Sequence, residues 1–248
     1  SGLPTLASGG AIDWRPTGKS PDLVDLESAA RALVGKYPGI LGAGDGQFEL
    51  DREASRQVDE RLWFVTFRQV VGGVPVEGAR YDFHVHSGNL VALGASRWAP
   101  VTRSPLPRLP AEQARAALYG YLGAGPGDVV DLAAPALRFV PVDPRGTPNA
   151  EWNGARGAGY DHLLVWRFEL KVPGEPATWI AEVDADGGNV VALWDDTRYG
   201  RVKGGVYPIS NDQDCPTGCE QPEHPLPFVD FSENGGPVQY SGDHGLYS

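Results

Sequence analysis

An internal repeat limits the folds open to this chain more than any other feature. Gly88-Asn89-Leu90-Val91-Ala92-Leu93 returns 100 positions later as Gly188-Asn189-Val190-Val191-Ala192-Leu193. A second matched pair lies upstream of each copy: Leu62-Trp63-Phe64-Val65-Thr66-Phe67-Arg68 and Leu164-Val165-Trp166-Arg167-Phe168-Glu169. Upstream again, each copy has a segment of helical periodicity. A period this long means one supersecondary design used twice.

The first helix is predicted over 21–37, where Leu23, Leu26, Ala30, Leu33, Val34 and Tyr37 recur at three- and four-residue steps and form one apolar face. Ser20 is positioned to cap it, Pro21 suits its first turn, and Pro38-Gly39 stops it. The second is predicted over 110–122, with Ala114, Ala117, Leu118, Tyr121 and Leu122 inward and Gly123 at its end. The segments after each helix alternate with period two. Leu164, Trp166, Phe168, Leu170 and Val172 face one way, and Val165, Arg167, Glu169 and Lys171 the other. Tyr81, Phe83 and Val85 alternate with Asp82, His84 and His86, and Trp179, Ala181 and Val183 with Ile180, Glu182 and Asp184. These are half-buried antiparallel strands. Ser87-Gly88-Asn89 and Asp186-Gly187-Gly188-Asn189 read as hairpin turns, because Gly and Asn accept positive φ.

The expected fold class is α+β: two repeated units, each a helix packed on an antiparallel sheet, followed by a short β-rich C-terminal segment. The units divide as 1–99 and 100–200, with a Pro-rich joint over 100–110 and a long loop over 143–159. Residues 201–248 carry strand candidates at 202–207 and 227–231.

Composition excludes some classes of function. Lys and Arg number 21 against 32 Asp and Glu, a net charge of -11, which argues against a nucleic-acid partner. No apolar run approaches the roughly 20 residues that cross a bilayer, so no membrane span is expected. Met is absent and Ser1 opens the chain, so the expectation is a processed chain whose leader has been removed.

The repeat resembles the propeptides of secreted thermolysin-like and fungalysin-like zinc proteases. Trp63 through Gly78 is similar to the fungalysin/thermolysin propeptide motif, an apolar strand ending in Gln69 followed by Gly73-Val74-Pro75-Val76 and a further strand. The second unit is similar to a PepSY domain on its helix at 110–122, Leu164-Val165-Trp166-Arg167-Phe168, and Val183-Asp184-Ala185-Asp186-Gly187-Gly188-Asn189-Val190-Val191. Gly187 stands where Thr is common in that family. The resemblance covers about residues 20–197 and implies cystatin-like units. It implies a secreted location, extracellular or periplasmic, and a non-enzymatic role as intramolecular chaperone and inhibitor. The implied partner is the mature metalloprotease domain of the same precursor. The protease itself needs His-Glu-x-x-His, two His one helical turn apart around a Glu base. None of the five His here is followed by Glu, and no two stand four apart.

Other clusters have plainer readings. His84 and His86 share a strand face at a spacing a metal could use, but a solvated face explains them with no third ligand. Cys215 and Cys219 are expected to form a disulfide, with free thiols or zinc held together with His224 and His244 as the alternatives. Asp184 and Asp186 before two glycines match the start of a calcium loop. The twelve-residue pattern then fails, with Gly188 and Asp195 where ligands belong, so a hairpin turn is expected. Glu49, Asp51 and Glu53 read as acidic surface, and no cofactor is expected. Two rival functions remain: a free-standing secreted inhibitor or binding module, and an enzyme of an unrecognised class. Ser248 is read as a candidate processing end, and 201–248 as the start of a further β-rich domain or of the mature region.

Overall fold

The computed structural model describes residues 3–16, 19–42, 47–143, 159–175, 177–197, 200–201, 203–206, 221–232, 238–242 and 246–247. It is an α+β protein with a mixed sheet and few helices. Among the described residues no helix is long and apolar enough to cross a membrane.

The first half holds strand β1 (Ala7–Asp13), helix α1 (Leu23–Lys36), a one-turn helix α2 (Pro38–Leu41), and strands β2 (Phe48–Gln57), β3 (Leu62–Val71), β4 (Val74–His86) and β5 (Asn89–Ser96). Helix α1 starts at a capping box, not at Ser20. The Asp22 carboxylate accepts from the amides of Val24 and Asp25, and Asp25 returns a bond from the Asp22 amide. Pro38 opens α2 and does not simply end α1, because proline lacks only the amide a first turn leaves free. Leu26, Ala30 and Val34 are buried against an aromatic cluster on the sheet. There Phe48 stacks on Phe67 at 3.9 Å, and Tyr81, Phe83 and Trp98 pack edge-on around them. Tyr37, expected in that face, is exposed.

The second half holds α3 (Ala111–Leu122) and strands β6 (Val130–Asp131), β7 (Ala136–Val142), β8 (Asp161–Lys171), β9 (Thr178–Asp184) and β10 (Val190–Asp195). Helix α3 ends at Gly123 in the left-handed region, as expected. Ala114 and Leu118 are buried against Phe168, Leu170, Ala181 and Val183. Tyr121 is exposed, and Tyr119 packs against that core in its place. Short pairs follow: β11 (Gly200–Arg201) with β16 (Leu246–Tyr247), β12 (Lys203–Val206) with β13 (Gln221–Pro225), and β14 (Asp230–Phe231) with β15 (Gln239–Tyr240).

The expected all-antiparallel sheets are corrected at one place. Strands β1 to β10 form a single sheet, ordered β1-β5-β4-β7-β8-β9-β10, with β2 on β3, β3 on β4 and β6 on β8. All ladders within each half are antiparallel, but β4 and β7 pair in parallel at Val76 and Phe139. Strand β4 is long enough to hold β5 along residues 80–86 and still offer Val76 to β7. Both faces of β8 and β9 are consequently covered in part. Val165, Ile180 and Glu182, assigned by alternation to the polar side, are buried. In the β4–β5 turn, Ser87 and Gly88 take positive φ, and Asn89 does not; its side-chain amide donates to the Ser87 carbonyl instead.

One buried phenol ties the first core together. Tyr81 Oη donates to the Leu41 carbonyl at the end of α2, and burial pushes its ionisation up to about 12. Tyr81→Phe leaves that carbonyl without its partner, and is expected to cost about 1–3 kcal/mol in denaturant unfolding. Ultraviolet titration of the wild type should show one phenol ionising about two units above the ordinary value near 10, and that phenol should vanish in the variant.

Candidate functional site

The residues that carry the family resemblance meet where the two halves join. Strands β3 and β4 are linked by the two-residue turn Gly72-Gly73, with φ of 57° and 84°. A tight hairpin with positive φ at both central residues twists as its strands do, and glycine adopts it without strain. A Cβ on Gly72 would also lie 2.6 Å from the Pro105 ring, so the link between the halves lies against this turn.

Beyond the turn the ladder slips. Arg68 pairs with Arg80 and Val70 with Pro75, so four residues of β4, Val76 to Ala79, stand opposite the single Gln69. The bulge turns Val76 toward β7. Val74, Val76 and Ala79 are buried together with Phe139, Leu164 and Ala185. Gln69 fills the gap from the other side. Its buried amide donates to the Ala99 carbonyl and to Gln47 Oε1, each at 2.8 Å. Pro75 sits at the turn end of the strand, a place where a missing amide is tolerated.

The second-half motif residues close the same joint. Trp166 packs against both the joint core and the α3 core, and its indole donates to the Leu109 carbonyl at 2.8 Å. The Asp184 carboxylate accepts from the amides of Asp186 and Gly187 at 3.1 and 3.2 Å, which fixes the β9–β10 turn. Asp186 faces Arg103 at 3.4 Å and Arg108 at 3.8 Å. These carboxylates are thus committed to a hairpin and to the interunit link. Among the described residues no group of three or more His, Cys, Asp or Glu could hold a metal ion.

Alternation alone did not reveal a charge network that crosses the joint. Glu77 on β4 pairs with Arg138 on β7 at 2.9 Å and lies 3.5 Å from Arg167 on β8. Arg167 pairs with the buried Glu182 on β9 at 2.6 Å. The register Arg167↔Glu182 sets these two directly opposite. A buried carboxylate needs such a partner, and removing one member would leave the other charge stranded. The signal was a basic and an acidic residue at matching alternation positions, visible only once register is known.

The remaining predicted residues are placed as follows. His84 is half-buried against the Phe64 ring at 4.5 Å, and His86 is exposed. Glu49 pairs with Arg68, and Asp51 caps the amides of Glu53 and Ala54. Cys215, Cys219 and Ser248 lie outside the described residues, as does His244.

No protein-family profile matches the chain. No curated protein matches it either. Among solved structures it is similar to the Bacillus megaterium YpeB C-terminal domain, at 13% identity over 74% of this chain and 69% of that one, with a TM-score of 0.31. At that score the likeness carries no argument about function.

One buried group near the joint makes stability depend on pH. His162 on β8 is almost wholly inaccessible, its ring lies 6.4 Å from Phe139, and its Nε2 has no partner. Burial pushes its imidazole below the ordinary value, opposed by the charge of Asp161. A depressed pKa means that the unfolded chain takes up the proton first. Stability is therefore full above about 6.5 and is lost as pH falls through the folded value. His162→Leu should flatten that part of the profile: between pH 7 and 5 the wild type should lose more stability than the variant in guanidinium unfolding. Equal losses would contradict this assignment.

Proposed function

We propose that this chain is the propeptide of a secreted zinc metalloprotease, acting as intramolecular chaperone and inhibitor and not as a catalyst. The observation that supports this reading best is the joint itself. Gln69, Gly73, Val74, Pro75, Val76, Trp166, Asp184 and Gly187 carry the resemblance, and each is used to build or flank one junction between the two halves of the sheet. Motif residues with such structural work are what a non-catalytic propeptide module needs.

The finer fold reading belongs to the same proposal. Each half contains a helix and, after it, a four-strand meander, β2-β3-β4-β5 beyond α1 and α2 and β7-β8-β9-β10 beyond α3 and the short β6. We read these as two copies of one cystatin-like unit, a fungalysin/thermolysin propeptide unit over 1–99 and a PepSY unit over 100–200. The partner is the mature protease domain of the same precursor, in an extracellular or periplasmic setting. A segment that binds the native protease and not its unfolded chain raises the native population by mass action. The same contact inhibits the enzyme if it covers the cleft.

The test adds the purified chain to the protease encoded downstream in the same reading frame. Peptide hydrolysis should fall with a stoichiometric end-point, and the refolding yield of the denatured protease should rise. Neither effect at large molar excess, or no His-Glu-x-x-His in that frame, would replace this reading with a free-standing inhibitor or binding module.

A further inference from the structure

The face of β4 and β5 turned away from α1 carries a cavity of about 540 Å³. Its wall brings together Arg80, His84 and Arg97 with the single carboxylate of Asp82. That carboxylate is already satisfied. Arg80 Nε lies 2.9 Å from it and the Thr66 hydroxyl donates to it at 2.8 Å. The Arg97 guanidinium is different: no carboxylate pairs with it among the described residues. In a chain with 32 acidic and 21 basic side chains, an unmatched guanidinium on a cavity wall is the feature that needs explaining.

Its backbone position is well defined. Arg97 has φ +49°, in the left-handed region, and is followed by the buried Trp98. Its side chain lies across Gly78, where a Cβ would stand 3.2 Å from Arg97 Cδ and 3.3 Å from Nη1. Gly78 belongs to the β4 bulge and has φ +66°. Two left-handed residues, one of them not glycine, thus set the backbone from which the exposed Arg97 side chain extends. Such conformations persist only where the surroundings over-determine them. Behind it the floor is made of small residues, Ala92, Gly94 and Ser96, and the Tyr160 ring stands at the same cavity.

We infer that this cavity binds a carboxylate carried on a peptide, with Arg97 as the pairing group. A planar guanidinium holds a carboxylate through two parallel hydrogen bonds. The volume suits one or two residues of an extended segment. The apolar sides of Leu6 and Leu93, which also line it, provide contact for the body of the ligand. The carboxylate belongs either to an acidic side chain or to a chain terminus, and both present the same group to Arg97. This inference stands apart from the proposed propeptide role, since a binding module would carry the same cavity.

The test is a titration of the whole chain followed by ¹H–¹⁵N spectra of amides and arginine Nε–Hε groups. N-acetyl-aspartic acid N-methylamide represents the side chain, N-acetyl-glycine the terminus, and N-acetyl-asparagine N-methylamide the neutral control. One of the two carboxylates should give saturable shifts centred on β4, β5 and Arg97 Nε, with the wild-type Arg52 Nε unmoved. Arg97→Gln should weaken this at least about tenfold, as expected for loss of a charged bidentate pair. Arg52→Gln, a change at a remote exposed cation, should leave it unchanged. No saturable shift with either carboxylate to tens of millimolar would overturn the inference. Equal binding of the neutral control, or equal affinity in Arg97→Gln and the wild type, would do the same.

Discussion

Strand β4 must pair with both halves of the sheet at once, and the rest of the architecture follows from how it does so. Against β3 it carries a bulge in which Val76 to Ala79 face only Gln69. That excess bends the strand, and Val76 within it turns from β3 to meet Phe139 of β7. Each neighbouring feature solves a problem the bulge creates. The Gln69 amide reaches Ala99 and Gln47 across the gap, where a ladder bond is missing. Val74, Val76 and Ala79 bring apolar surface to Phe139 and Leu164. Bulges of this kind bend a strand and increase its twist, so they serve where a sheet must change direction.

The charge network has the same origin. Pairing β4 with β7 sets Glu77 beside Arg138 and Arg167, and Arg167 then carries Glu182 into the interior. Ion pairs this enclosed add little net stability, but each member strongly requires its partner. The network therefore penalises wrong registers at the joint more than it strengthens the right one. The cavity on β4 and β5 depends on the bulge as well, because Gly78 is the residue over which Arg97 lies.

Much of this was legible in the sequence, and the misses have physical causes. The period-two runs at 81–86 and 164–170 and the apolar faces of α1 and α3 name most of the core, because packing against one partner leaves one periodic face. Strands β1 and β2 escape such a reading. The first is glycine-rich and exposed at the sheet edge, and the second slips register between Asp51 and Arg56, which breaks its alternation. The parallel pair is invisible for a different reason: period two marks a strand but not the direction of its neighbour. That the motif residues lie around one joint shows only when Gln69 and Trp166 are seen on two sides of it. Arg167 and Glu182 looked like solvent-facing charges until register placed them opposite each other.

The central claim is that the β4 bulge makes the α1-packed and α3-packed halves of the sheet into one cooperative body. Native-state hydrogen exchange under rising denaturant tests it most directly, since it reports the opening free energy of each segment. The account predicts that the amides of β3–β5 and of β7–β9 converge on one opening free energy and one denaturant dependence. Two separate isotherms, with β7–β9 exchanging while β3–β5 remains protected, would contradict it.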